Sequence, residues 1–322
     1  MTHPRPTLGA VQASQQEQAA LVALLRATTA AWPDVTADLL ARGSALQAWR
    51  DWQGEQEPAT LLDAPGGADA DPLAEATAEI NHWAERGWVL TTILDRGYPA
   101  RLREIHQAPP FLFSRGTLLP GDPAMAVVGS RDASSRGLGI ARGIAHELVR
   151  RKISVAAGLA RGIDAAAHRT ALDENGRTVA VIGTGISRVY PPENASLHEE
   201  IARCGLLLSQ FWPDAPPQKH TFLMRNATMS GYSLATIVVE AGEKSGARVQ
   251  ARLAVEHGRP VILTDLVVER NEWARALTAR PGVHVASGLR ESAGLIDRLI
   301  AEHQDVRADL DRLAAAQTGA RE

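Results

Sequence analysis

Short apolar runs bounded by Gly, Pro and Asp alternate along most of this chain with stretches whose apolar positions recur every three or four residues, the periods of buried strands and of amphipathic helices. Met125-Ala-Val-Val-Gly-Ser-Arg131 is such a run, closed by a Gly-Ser-Arg turn, and Ile140, Ala141, Ile144 and Leu148 follow at helical spacing. A second run over 153–157 feeds into Gly158-Leu-Ala-Arg-Gly-Ile-Asp164 and a helix ending near Leu172. Further strands are predicted at 179–182, 206–209, 235–240, 261–264 and 283–285, with helices between most of them. Repeated strand-helix units imply an α/β fold, a parallel sheet with helices on both faces.

The amino-terminal pattern differs. Residues 1–14 are polar and Pro-containing and are expected to be a disordered arm, and 15–53 give short helices of a small helical domain through Ala19, Leu21, Val22, Leu24 and Leu25. Gly, Pro, Ala and Asp dominate 54–72, an expected linker, so the main domain spans 73–290 and a charged carboxy-terminal helix spans 291–322. Within the main domain a helix over 75–87 leads to a strand over 88–93, and the Pro-rich 108–116 segment reads as an edge extension of the sheet. Five of the seven tryptophans precede residue 90, which predicts a separate aromatic core in the helical front end.

Composition narrows the class. A chain of 322 residues with 45% hydrophobic and 22% charged residues has room for about two domains, and a formal net charge of −3 offers no global cationic field for duplex binding. A local excess remains: 131–152 holds six basic residues (Arg131, Arg136, Arg142, Arg150, Arg151, Lys152) and two acidic ones (Asp132, Glu147). Cys204 is the single cysteine, which excludes an internal disulfide framework or a thiolate zinc site and suits a reducing cytoplasm. No apolar run approaches the length of a membrane span, so no membrane partner is expected.

The candidate chemistry lies at the two turns. In an open parallel sheet ligands bind outside the carboxyl ends of the strands, where helix starts present unpaired N–H groups and a dipole that favours an anion. Gly129, Ser130 and Arg131 in the first turn, and Gly158, Arg161 and Gly162 in the second, therefore suit phosphate, with two guanidinium forks. Gly137, Gly139 and Gly143 fall too late for a dinucleotide fingerprint and read as close helix-to-sheet packing. His168 and Asp164 share a helix face but have no partnered nucleophile, so they read as braces of the crevice and not as a general base. No metal-ligand spacing occurs, and no cofactor is expected.

Five stretches stand together in order: Asp95-Arg-Gly-Tyr-Pro-Ala-Arg-Leu-Arg-Glu-Ile105, Pro110-Phe-Leu-Phe-Ser-Arg-Gly116, Ala126-Val-Val-Gly-Ser-Arg131, Gly158-Leu-Ala-Arg-Gly-Ile-Asp-Ala-Ala-Ala-His168 and Val238-Val-Glu-Ala-Gly-Glu-Lys-Ser-Gly246. With them the chain resembles the DprA/Smf DNA-processing family over residues 85–265. The resemblance implies an extended Rossmann-like domain, not an enzyme, that binds single-stranded DNA by its phosphates. It also implies loading of a RecA-type recombinase in natural transformation, usually by a homodimer. Carried over by position, it implies DNA contacts at Ser130, Arg131, Arg161, Arg225 and Asn226, with Gly129, Gly158, Gly162, Gly185, Ser245 and Gly246 shaping the site. The chain departs from the family pattern at Ala227, where a basic residue is usual. It departs again after 261–264, where Glu269-Arg-Asn-Glu-Trp273 replaces a glycine-rich loop, and no winged-helix tail is expected.

A second class is a nucleotide sensor or a nucleoside-phosphate hydrolase, as in phage defence. Glu240, at a strand end ahead of Gly242 and the Ser245-Gly246 helix start, would be its carboxylate. The Pro-Gly-Gly loop of such hydrolases is absent, and Glu240 also reads as a helix cap or brace.

Overall fold

The structure, a computed structural model, describes residues 8–55 and 71–319. Four helices come first: α1 (Leu8–Ala27), α2 (Trp32–Arg42), α3 (Ala45–Glu55) and α4 (Pro72–Glu85). The sheet begins with β1 (Val89–Thr92), short α5 (Ala100–Arg103), β2 (Phe111–Gly116) and β3 (Ala124–Gly129). Next come α6 (Ser135–Arg150), β4 (Ser154–Ala157), α7 (Ile163–Asp173), β5 (Thr178–Val181), α8 (Ala195–Cys204) and β6 (Leu206–Ser209). The chain continues through α9 (Lys219–Tyr232), β7 (Thr236–Glu240), α10 (Gly246–Glu256) and β8 (Val261–Thr264). It closes with α11 (Asp265–Val268), α12 (Glu272–Leu277), β9 (Val283–Ala286) and α13 (Leu289–Gly319).

These strands form one sheet in the order β1-β2-β6-β5-β4-β3-β7-β8-β9. It is parallel from β6 to β9, but β2 runs antiparallel to both β1 and β6. The expected parallel sheet is found from β6 to β9 and is extended on one side by an antiparallel pair, in which the 108–116 segment supplies an interior strand while β1 takes the edge. The antiparallel pair needs no crossover helix, so the helical rhythm that marks the other strands is missing there.

Side chains alternate along β3. Met125 and Val127 pack with α6, α7 and α13 on one face, while Ala124, Ala126 and Val128 belong to the core under α9, α10 and the amino-terminal helices. That second core is continuous with the front end. Trp83 meets Phe113 edge-on at 4.9 Å, and Trp32 and Trp212 lie 5.2 and 4.7 Å from Phe111. The separate aromatic core predicted for the helical segment is therefore corrected: apart from the Trp49–Trp52 stack, its tryptophans close over the sheet. Residues 8–14 of the expected arm belong to α1, while 1–7, the 56–70 part of the linker and 320–322 lie outside the described residues. No helix among the described residues is long and apolar enough to cross a membrane.

Candidate functional site

β3 is where the strand order reverses: β4, β5 and β6 lie to one side of it and β7, β8 and β9 to the other. The loops leaving β3, β4 and β7 diverge there and open a crevice, as at the switch point of any doubly wound sheet. The start of α10 faces it, while that of α6 lies outside it. Ser134 caps α6, accepting from Gly137 N–H at 3.0 Å, and Ser245 caps α10, accepting from Ala247 N–H at 3.2 Å.

The crevice has two lobes. The larger, about 510 Å³, is lined by Gly129, Ser130, Arg131, Phe222, Arg225, Asn226, Lys244, Ser245 and Gly246. The smaller, about 290 Å³, shares Arg131, Phe222 and Arg225 and adds Gly158, Arg161, Tyr190 and Glu193. Phe222 stands between the lobes, with the Arg131 and Arg225 guanidiniums 6.0 and 5.8 Å from its ring centroid and Tyr190 at 5.5 Å. Of the residues predicted from sequence, Gly162 and Gly185 line neither lobe. Gly162 (φ +74°) lets the second turn close on the first, since a side chain there would meet the Ser130 and Arg131 carbonyl oxygens. Gly185 packs against the Trp212 and Pro213 carbonyls and donates its N–H to Ala215 O at 2.9 Å, so its role is local packing.

The cations divide by what already holds them. Arg225 is buried: Nη1 donates to Gly158 O and Val181 O, both at 2.7 Å, and Nε to Asn226 Oδ1 at 3.1 Å. Burial lowers its pKa, and the buried Asp164 carboxylate opposes that shift. Asp164 accepts from Gly158 N–H at 2.9 Å and Ala160 N–H at 3.4 Å, and burial raises its pKa. Arg225 and Asp164 therefore fix the second turn. Arg161 is half-exposed, with Nε 3.2 Å from Glu193 Oε1 and Nη2 3.9 Å from Asp132 Oδ1. Arg131 and Lys244 are exposed, and among the described residues neither has a hydrogen-bond or ion-pair partner. Half of the six basic residues over 131–152 are paired, Arg136 with Asp265, Arg150 with Glu147, and Arg151 with Glu147 and Asp297.

Glu240 faces away from the crevice chemistry. Its Oε2 accepts from Ser134 N–H and Oγ–H, both at 2.9 Å, and its Oε1 lies 3.6 Å from Arg270 Nη1. The same carboxylate fills the space beside Gly137, and Leu289 fills that beside Gly143, whereas nothing lies near Gly139, which is not a packing glycine. The altered loop contributes to this brace: Asn271 Nδ2 donates to Ala241 O at 2.9 Å and to Val267 O at 2.8 Å, holding the turn after β7. Among the described residues no group of His, Cys, Asp and Glu could hold a metal ion.

His168 is fully buried, its Nδ1 2.6 Å from Thr178 Oγ1, which donates to Val155 O at 2.8 Å. Burial, with the nearby Arg225 charge, pushes its pKa down to about 3 from 6.5. The folded state thus excludes the imidazolium, so this stability is complete above pH 6.5 and is lost as pH falls from 6.5 towards 3. At about 1.4 kcal/mol per pH unit, wild type should lose roughly 2 kcal/mol more than His168→Asn between pH 6.5 and 5. Equal pH slopes in urea unfolding would refute that assignment.

Phe222, Tyr190 and Lys244 are site residues that sequence reasoning did not single out. Lys244 sat inside the Glu-Ala-Gly-Glu-Lys-Ser-Gly stretch as its one cation, but Phe222 and Tyr190 carry no local signal.

The fold and crevice define an extended Rossmann-like α/β protein with its open site at the carboxyl ends of the parallel strands. The chain belongs to the DNA recombination-mediator protein A family, whose profile matches residues 89–279. It is 42% identical over 175 residues to the DNA processing protein DprA of Streptococcus pneumoniae, covering 53% of this chain and 60% of that one. It is 41% identical over 172 residues to Protein Smf of Synechocystis, covering 52% of this chain and 43% of that one. The matches thus span about half of the lengths of these relatives. The solved pneumococcal structure superposes with a TM-score of 0.60 at 28% identity, over 86% of this chain and 94% of that chain. The Helicobacter pylori DNA processing protein A, whose structure was described for its single-stranded DNA binding mode, shares the fold at a TM-score of 0.58 and 24% identity, over 65% of this chain and 96% of that one.

Proposed function

We propose that the crevice binds single-stranded DNA by its phosphates, without acting as an enzyme. The observation that carries this is the pair Arg131 and Lys244, two exposed cations without hydrogen-bond or ion-pair partners on one lobe beside the α10 start, the first of them over the Phe222 ring. Phosphates meet the cations and helix N–H groups, while Phe222 and Tyr190 offer faces on which bases of any sequence stack. Ser130, Arg161, Asn226, Ser245 and Gly246 complete the phosphate-facing wall. Membership of a recombination-mediator family supports the same ligand.

Single strands should bind more tightly than a duplex of equal length, with log affinity falling by about 0.7 per neutralised phosphate per log salt. Equal duplex affinity in fluorescence anisotropy would contradict the proposal.

The finer reading is that the bound strand is handed to a RecA-type recombinase during DNA uptake in the cytoplasm, and that the protein works as a homodimer. The family's description as a recombination mediator supports the first, and the resemblance drawn from the sequence implies the second. Strand-exchange assays and cell fractionation test the first, while sedimentation showing only monomer at micromolar concentration would exclude the second.

A further inference from the structure

We infer that the valley between α9 and α10 carries the strand past the crevice into a second, apolar groove that seats further nucleobases. This rests on the single-strand reading of the crevice and extends its track onto the helical front end. The groove has a volume of about 390 Å³, and its walls are Trp32 and Pro33 at the start of α2, Leu223 and Met224 on α9, and Val249 and Leu253 on α10.

Crevice and groove are built by the same two helices. On α9, Phe222, Arg225 and Asn226 line the crevice and Met224 and Ala227 the groove, with Leu223 on both. On α10, Gly246, Ala247 and Gln250 line the crevice, and Val249, Arg252 and Leu253 the groove. A polymer leaving the crevice over Phe222 therefore meets Leu223 next. That side chain is 51% exposed and Met224 37%, a cost in open water that a covering base would remove.

Charge selects the occupant. None of the groove's lining residues is acidic, and its one charge is Arg252, largely exposed and 3.3 Å from Glu256. A wall of apolar side chains with Gln107, Gln210 and Arg252 at hand suits planar bases with polar edges and a phosphate alongside. Ala227 fits this character. The buried alanine lies among the groove's lining residues and adds no charge or polar group to it.

The test compares oligo-dT of about 4 nucleotides, filling the crevice alone, with oligo-dT of about 15. The double variant Met224→Glu/Arg252→Glu changes only groove residues. It should bind the short strand within about twofold of wild type and the long strand about tenfold more weakly, the loss of roughly one stacked base. Met224→Gln, which trims the apolar surface without adding charge, should lose in the same direction by less. Arg131→Ala weakens both lengths and so reports on the crevice separately. Wild-type affinity of the double variant for the long strand would overturn the groove assignment and leave the apolar wall to a peptide partner. Equal losses on both strand lengths would overturn it too. A wild-type protein that binds neither strand would remove the crevice reading itself.

Discussion

Arg131→Ala is expected to lower affinity for oligo-dT about 10- to 100-fold while leaving the unfolding midpoint in place. The side chain has no hydrogen-bond or ion-pair partner to lose, only the Phe222 ring at 6.0 Å, so its removal costs the fold little. A charge-assisted phosphate contact contributes on the order of 1.5–3 kcal/mol, which sets the size of the loss. Arg161→Ala should cost less. Its guanidinium is already held by Glu193 and Asp132, and binding a phosphate means releasing them. Glu240→Gln should leave DNA binding within a few fold, since its carboxylate serves Ser134. Anisotropy titrations at two salt concentrations check the set, and Arg131→Ala should also show a shallower salt slope. An Arg131→Ala protein within twofold of wild type would sink the phosphate reading of the crevice.

Arg225→Met is expected to destabilise the fold itself, by about 3 kcal/mol or more, because two buried carbonyls lose a charged donor and a nearby buried carboxylate loses an opposing charge. It leaves the buried Asp164 carboxylate without its counter-charge and strips the Gly158 and Val181 carbonyls of a donor. Gly158 leaves the guanidinium room to reach those oxygens, since any side chain there would strike it. The double variant Asp164→Asn/Arg225→Met should recover part of the loss by removing the stranded charge. Denaturant unfolding measures both, and an unchanged midpoint for Arg225→Met would show that the pair does not hold the turn. The same experiment separates Arg225 from Arg131, which the carried-over pattern treats as equivalent phosphate ligands.

Sequence alone determined the strand-turn-helix units. Apolar runs such as Val261-Ile-Leu-Thr264 and turns such as Gly-Ser-Arg are local patterns, and the strands observed at Leu206–Ser209, Thr236–Glu240 and Val261–Thr264 lie where those patterns put them. Arg131, Ser130 and the Ser245-Gly246 helix start were legible as crevice residues because each sits at a strand end or helix start, whereas Asn226, in the middle of α9, came only from the family resemblance. Tertiary structure alone decided the rest. The antiparallel insertion of Phe111–Gly116 beside Leu206–Ser209 joins segments some ninety residues apart, and no periodicity encodes that pairing. Trp83 and Trp32 close over Phe113 and Phe111 of β2 because the face of the sheet gives these rings apolar partners from a distant part of the chain. Arg225 and Arg131 are the same residue type. Only packing shows that one is walled into the core by carbonyls and a carboxylate while the other is left in water, free to meet an anion.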